Sequence, residues 1–201
     1  PPPPPPTLSL HDALPISGYD VVLVETVGVG QSETVVSEMV DCFLLLGLPG
    51  AGDELQGIKR GVVELADLIA VNKADGANVL AAKVAVKELA TALRYLRPTH
   101  EAWTPKVLAI SAQTGDGLNE LWAEVESHRK ALDDSGELST MRQGQKVRWM
   151  WAEIDDALRT TFESNEAVSS LLPKLEAAVR AGETTPSAAA VALMAAFAAR
   201  P

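Results

Sequence analysis

Cysteine is almost missing from this chain: Cys42 is the single one in 201 residues. One thiol forms no internal disulfide, and there is no cysteine cluster to hold zinc, so the disulfide-stapled and cysteine-cluster zinc classes are excluded. Positive charge is in deficit, with 17 Lys and Arg against 27 Asp and Glu and a formal net charge of -10. That balance repels phosphate backbones, so no nucleic-acid partner is expected. Long apolar runs are missing as well. Hydrophobic residues make up 47% of the chain and mean hydropathy is +0.08, yet no stretch approaches the ~20 uninterrupted apolar residues of a membrane span. The expectation is a cytoplasmic chain without a membrane partner, long enough for one domain or a domain with a helical appendage.

What is present begins with an oddity. Six of the 13 prolines are residues 1–6, a run that favours a polyproline II rod without internal hydrogen bonds. The segment Thr7 to Ile16 has neither a basic nor an apolar region of the secretory type. It resembles one reading frame of a sequencing-adapter oligonucleotide, so residues 1–17 are expected to be a non-native, disordered head. A genuine Pro-rich tail is the alternative.

From residue 18 the pattern becomes regular. Four short apolar runs, Asp20–Glu25, Asp41–Leu48, Asp67–Asn72 and Lys106–Ser111, suit strands buried on both faces. Between and after them lie helix-compatible stretches at Glu54–Leu65, Val79–Leu96 and Leu118–Leu132. This alternation predicts an α/β fold with a parallel sheet, whose ligands bind at the carboxyl ends of the strands. Beyond Gly136 the strand signal stops. Helices are predicted over Glu137–Glu163, from Asn165 as N-cap to Ala181 with Gly182 as C-cap, and from Pro186 behind Thr185 to Arg200. The expected domains are therefore 18–134 for the sheet and 135–201 for a helical arm.

The polar residues at strand ends carry the chemistry. Asn72-Lys73-Ala74-Asp75 matches the N-K-x-D pattern with which P-loop GTPases read guanine. A carboxylate at Asp75 accepts both the N1–H and the 2-amino hydrogens of guanine, a pair that adenine does not offer. Asn72 can tie the loop together, and the stem of Lys73 can lie over the ring. Ser111-Ala112 follows the next strand, where such proteins place a backbone N–H against guanine O6. After the first run, Glu25-Thr26-Val27-Gly28 fits the D/E-x-x-G of a switch II. There Glu25 would face the Mg2+ shell, through water, and the Gly28 N–H the γ-phosphate. Gln31 and Glu33 would lie near a hydrolytic water.

Taken together, Glu25–Glu33, Leu48–Lys59 and Asn72–Gly76 resemble the methylmalonyl-CoA mutase-associated GTPases of the MeaB/ArgK type, over about residues 18–200. The resemblance implies a partial P-loop GTPase sheet of the SIMIBI type followed by an all-helical arm. It implies GTP or GDP and Mg2+ as ligands. It also implies a GTP-hydrolysing chaperone that protects and gates cobalamin loading of methylmalonyl-CoA mutase, or a related cobalamin-dependent mutase, as a homodimer held by the C-terminal helices. Residues Pro49 to Lys59 resemble the loop coupling nucleotide state to the partner; Gly50 and Gly52 supply hinges, and Asp53, Glu54 and Lys59 supply charges to re-pair.

One part is missing. No G-x-x-x-x-G-K-[ST] occurs in the 201 residues, although phosphoryl transfer in this class relies on that loop. The chain is therefore expected to be the carboxyl-terminal part of such a protein, impaired in hydrolysis. A catalytically dead dimerisation module and a transport-linked kinase are the rival readings; for the latter no second phosphoryl-acceptor site is evident. Cys42 reads as a small core hydrophobe. His11, His100 and His128 show no spacing that suggests a site, and Trp149 and Trp151 read as packing residues.

Overall fold

The computed structural model describes residues 19–26, 32–49 and 60–199. Three of the four predicted strands form one parallel sheet in the order β1 (Leu44–Gly47), β2 (Leu68–Val71), β3 (Lys106–Ala109). Leu44 pairs with Leu68 and Leu68 with Lys106, and the register continues to Gly47, Val71 and Ala109. All four residues of β2 are buried, as an unbroken apolar run in a central parallel strand should be.

The period of two along β2 divides its side chains between two cores. Ile69 and Val71 pack with Phe43, with Val63 of helix α2 (Arg60–Leu65) and with Ala82, Ala85 and Leu89 of α3 (Val79–Leu93). Leu68 and Ala70 face the other way, onto Trp103, Ile110, Leu121 and Leu132, the last two from α4 (Leu118–Ser135). Helix α1 (Ser32–Ser37) precedes the sheet. Gly117 opens α4 at φ 76°, and a Cβ there would lie 2.4 Å from the Ala109 carbonyl oxygen. Only glycine fits that close approach.

The first predicted strand is not one. Val21 to Thr26 run without regular structure, and Leu23 is 87% exposed. An apolar β-branched run becomes a strand only where another chain segment satisfies its N–H and C=O groups. No described segment pairs with this one.

Of the predicted helix Glu54–Leu65 the described part, Arg60–Leu65, is helical and 54–59 lie outside the described residues; the other helical predictions stand with shifted ends. Helix α5 spans Glu137–Ser164, α6 Glu166–Arg180 and α7 Pro186–Ala198. Asn165 caps α6, its side chain accepting from the Ala167 and Val168 N–H groups; Thr185 caps α7 by accepting from Ala188 N–H. At the end of α6, Ala181 is the capping residue, and Gly182 follows at φ 73°. The chain divides into two compact units, Pro1–Arg142 and Gln143–Pro201, with α5 beginning in the first and continuing in the second. In the second unit Phe162 and Phe197 meet with ring centroids 5.3 Å apart, and Val168 and Ala189 are buried. No described helix is long and apolar enough to cross a membrane.

Candidate functional site

The carboxyl ends of β2 and β3 are knitted into one ledge. Ile110 N–H donates to the Val71 carbonyl (2.9 Å), and Ala74 N–H donates back to the Ile110 carbonyl (3.0 Å). Asn72 N–H meets the Gly47 carbonyl at 2.8 Å, which anchors the ledge to β1 as well. Asn72 Oδ1 then accepts from Lys73 N–H (2.7 Å) and from Ala112 N–H (3.1 Å). One side chain thus joins the two motifs that the sequence places 40 residues apart.

Asp75 is oriented from the other motif. The hydroxyl of Ser111, a fully buried residue, donates to Asp75 Oδ2 and accepts from Thr114 N–H at 3.1 Å. The turn closes behind it: Ser111 N–H meets the Asp116 carbonyl and Gly115 N–H the Ser111 carbonyl, at 2.8 and 2.9 Å. Asp75 itself stays half-buried, and its second carboxylate oxygen has no partner among the described residues. Lys73 is the sole non-glycine residue with positive φ among the described residues, at 60°. A left-handed conformation costs a lysine about 1–2 kcal/mol, and strain of this kind collects at ligand sites. Its effect here is to turn the exposed lysine while Asn72 and Asp75, on either side, stay tied to the β3 loop.

This arrangement suits a planar base with adjacent N–H donors. Guanine N1–H and the 2-amino group fit the Asp75 carboxylate, and the Lys73 stem can cover a ring face. Ala112 N–H, the donor expected for O6, is held by Asn72 Oδ1, so a base reaching it would have to displace or share that bond. Neither of two shallow hollows, one lined by His100 and Glu137 and the other by Val63 and Leu93, includes these residues. The site is an open ledge.

Of the other expected site residues, only Glu25 falls among the described ones. Glu25 is exposed in the irregular first segment. Gly28, Gln31, Gly50, Gly52, Asp53, Glu54 and Lys59 lie outside the described residues. Mg2+ takes about six oxygens in near-octahedral array; among the described residues Glu25 is the one expected donor, and the other switch residues lie outside them.

Sequence reasoning missed a second constellation, at the amino ends of the strands. Asp67, 5% exposed, accepts from Phe43 N–H through Oδ2 (2.8 Å) and, through its backbone carbonyl, from Trp103 Nε1–H (2.9 Å). Its Oδ1 stands 3.6 Å from both His100 Nε2 and His128 Nε2. His100 Nδ1 lies 3.4 Å from Glu137, whose carboxylate also accepts from Glu101 and Ala102 N–H. The expectation that the histidines are unrelated is thus corrected for His100 and His128, whose rings lie 5.7 Å apart. Nothing in their spacing signals it, because separate loops and helices carry them.

Beside this cluster, burial first and the Asp67 and Asp41 carboxylates second push the Cys42 thiol up to about 12. In the metal-free native chain at pH 8, thiol reagents are expected to label Cys42 on the order of 100-fold or more slowly than in urea, since the thiolate is the nucleophile. Equal rates with Ellman's reagent would contradict that burial.

A family profile described as "Methylmalonyl Co-A mutase-associated GTPase MeaB" matches residues 5–167. The chain is 51% identical over 181 residues to a putative GTPase of Caulobacter vibrioides, covering 90% of this chain and 55% of that protein. It is 43% identical over 183 residues to the mouse methylmalonic aciduria type A homolog, mitochondrial, covering 91% of this chain and 44% of that one. The chain therefore spans about half the length of these curated relatives. Among solved structures, the crystal structure of an LAO/AO transport system kinase superposes with TM-score 0.71 at 36% identity, over 92% of this chain and 60% of the other.

Proposed function

Because this chain belongs to the methylmalonyl-CoA mutase-associated GTPase family, MeaB, we propose that it binds guanine nucleotides at the Asn72–Asp75 ledge. In the whole protein this binding would serve a GTP-dependent chaperone that protects and gates cobalamin loading of methylmalonyl-CoA mutase, or of a related cobalamin-dependent mutase, in the cytoplasm. The observation that carries the reading is the joining of Asn72 to Ala112 and of Ser111 to Asp75 across adjacent strand ends. Asp75 gives guanine its specificity; Asn72 and Lys73 shape the pocket; Ser111 positions Asp75.

Within this proposal, Glu25, Gly28 and Gln31 belong to a switch sensing Mg2+ and γ-phosphate, the ion arriving with the nucleotide. Residues Gly50, Gly52, Asp53, Glu54 and Lys59 pass that state to the partner. The 201 residues contain no G-x-x-x-x-G-K-[ST] loop, so the triphosphate would be held weakly and hydrolysis would be slow. Titrating labelled GDP and ATP into the 201-residue chain tests the base assignment. GDP is expected to bind at least tenfold more tightly, about 1.4 kcal/mol; equal affinities would sink it.

One observation favours an interaction role for the second unit besides. Along α5, Val147, Met150, Trp151, Ile154 and Leu158 are exposed at 36–61% with helical spacing, an apolar stripe of the kind that marks an interface. We assign it to a homodimer through the C-terminal helices. Trp151→Asp with Leu158→Asp is expected to give a monomer by light scattering with helicity intact; a wild-type chain that is already monomeric at micromolar concentration would refute the assignment.

A further inference from the structure

The cluster at the amino ends of the strands has the composition of a metal site. Cys42 precedes β1, Asp67 precedes β2, and His128 sits in the middle of α4. One ligating atom from each lies within 4.8 Å of the others. His128 is 1% exposed, and neither ring nitrogen has a hydrogen-bond partner among the described residues. Leaving a buried imidazole unsatisfied is unfavourable, so a group that accepts its lone pair has a clear role there. His100, whose Nε2 lies 3.6 Å from the same Asp67 oxygen but which stands outside the three-residue cluster, would have to move in to serve as a fourth ligand.

We propose that Cys42, Asp67 and His128, with His100 as the closing ligand, bind one Zn2+-class divalent ion that staples the amino ends of β1 and β2 to α4. Thiolate and imidazole donors select a borderline-soft ion over Mg2+ or Ca2+. Tetrahedral Zn2+ with bonds of ~2.0–2.3 Å sets its ligands roughly 3.3–3.8 Å apart. The Asp67–His128 separation of 3.6 Å already falls there, and the thiol, within 4.8 Å of both, has at most about 1 Å to close. The Phe43 N–H held on Asp67 Oδ2 fixes the carboxylate plane and leaves Oδ1 to the ion. On binding, the thiol proton passes to solvent and a sulfur–metal bond forms. The site lies at the strand ends opposite the guanine ledge and does not depend on that assignment.

Co2+ titration of the chelator-stripped 201-residue chain tests it. One Co2+ per chain is expected, with a thiolate-to-cobalt charge-transfer band displaced by equimolar Zn2+. Since Cys42 is the sole cysteine, that band can come from no other residue. Cys42→Ser should abolish the band, and His128→Asn should weaken Co2+ binding at least tenfold, with wild-type circular dichroism as the control for folding. Absence of the band from the wild-type chain, a measurement that no misfolded variant can obscure, would overturn the site. So would a band that survives in Cys42→Ser, or unweakened Co2+ binding in a folded His128→Asn.

Discussion

Asp75→Ala is expected to lower GDP affinity by about 100-fold or more. Two hydrogen bonds to a charged acceptor are lost, each worth about 1.5–3 kcal/mol, and each 1.4 kcal/mol is tenfold. Ser111, fully buried, also loses the acceptor of its hydroxyl proton, so part of the loss reflects a loosened loop. Asp75→Asn separates the two causes. Its oxygen can keep the Ser111 bond, but its NH2 group now confronts the 2-amino group of guanine, donor against donor. Xanthine carries an acceptor at that position. The Asn variant should therefore lose GDP and gain xanthosine diphosphate, moving the ratio of the two dissociation constants by at least 100-fold. Competition against a fluorescent nucleotide measures both. If GDP binds the Ala variant as well as the wild type, the base is read elsewhere.

The second large effect concerns stability. Asp67→Ala should lower the unfolding free energy of the first unit by about 3 kcal/mol or more, measured by urea titration in chelator. It removes the acceptor of the buried Phe43 N–H and the one carboxylate oxygen that faces His100 and His128. A buried donor stripped of its partner costs roughly 1–3 kcal/mol, and the cavity left by the missing carboxylate adds to that. Against a typical total of about 5–15 kcal/mol, such a loss leaves the sheet marginal. Asp67→Asn, which still offers an oxygen to Phe43, should cost clearly less. A loss under about 1 kcal/mol in the Ala variant would show that the hub is not structural.

Much of this was legible before any coordinates. The run Leu68-Ile69-Ala70-Val71 reads as a buried strand because it has no polar residue to place outside. Asn165 and Thr185 read as caps because a short side-chain oxygen beside a helix start has few other tasks. The Asn72–Asp75 and Ser111–Ala112 motifs are local, each within one turn, so their chemistry is visible in the string. The run Asp20–Glu25 is as apolar at its centre as β2 and reads the same way, yet it is exposed and irregular. Composition reports what a segment would gain by burial; it does not report whether a neighbour exists to bury it.

The sequence by itself determined the class of fold, the helical arm and the family resemblance, and it singled out the candidate base-reading residues, because periodicity, capping and short motifs are properties of neighbours along the chain. Only the tertiary structure decided that Asn72 bridges to Ala112 and Ser111 to Asp75, turning two motifs into one ledge. It also decided that Cys42, Asp67, His100 and His128, from four separate segments, gather at the amino ends of the strands. The physical reason is the parallel sheet. Each strand returns to the same edge only after a long crossover, so residues tens of positions apart meet at strand ends, and no local rule records which of them will.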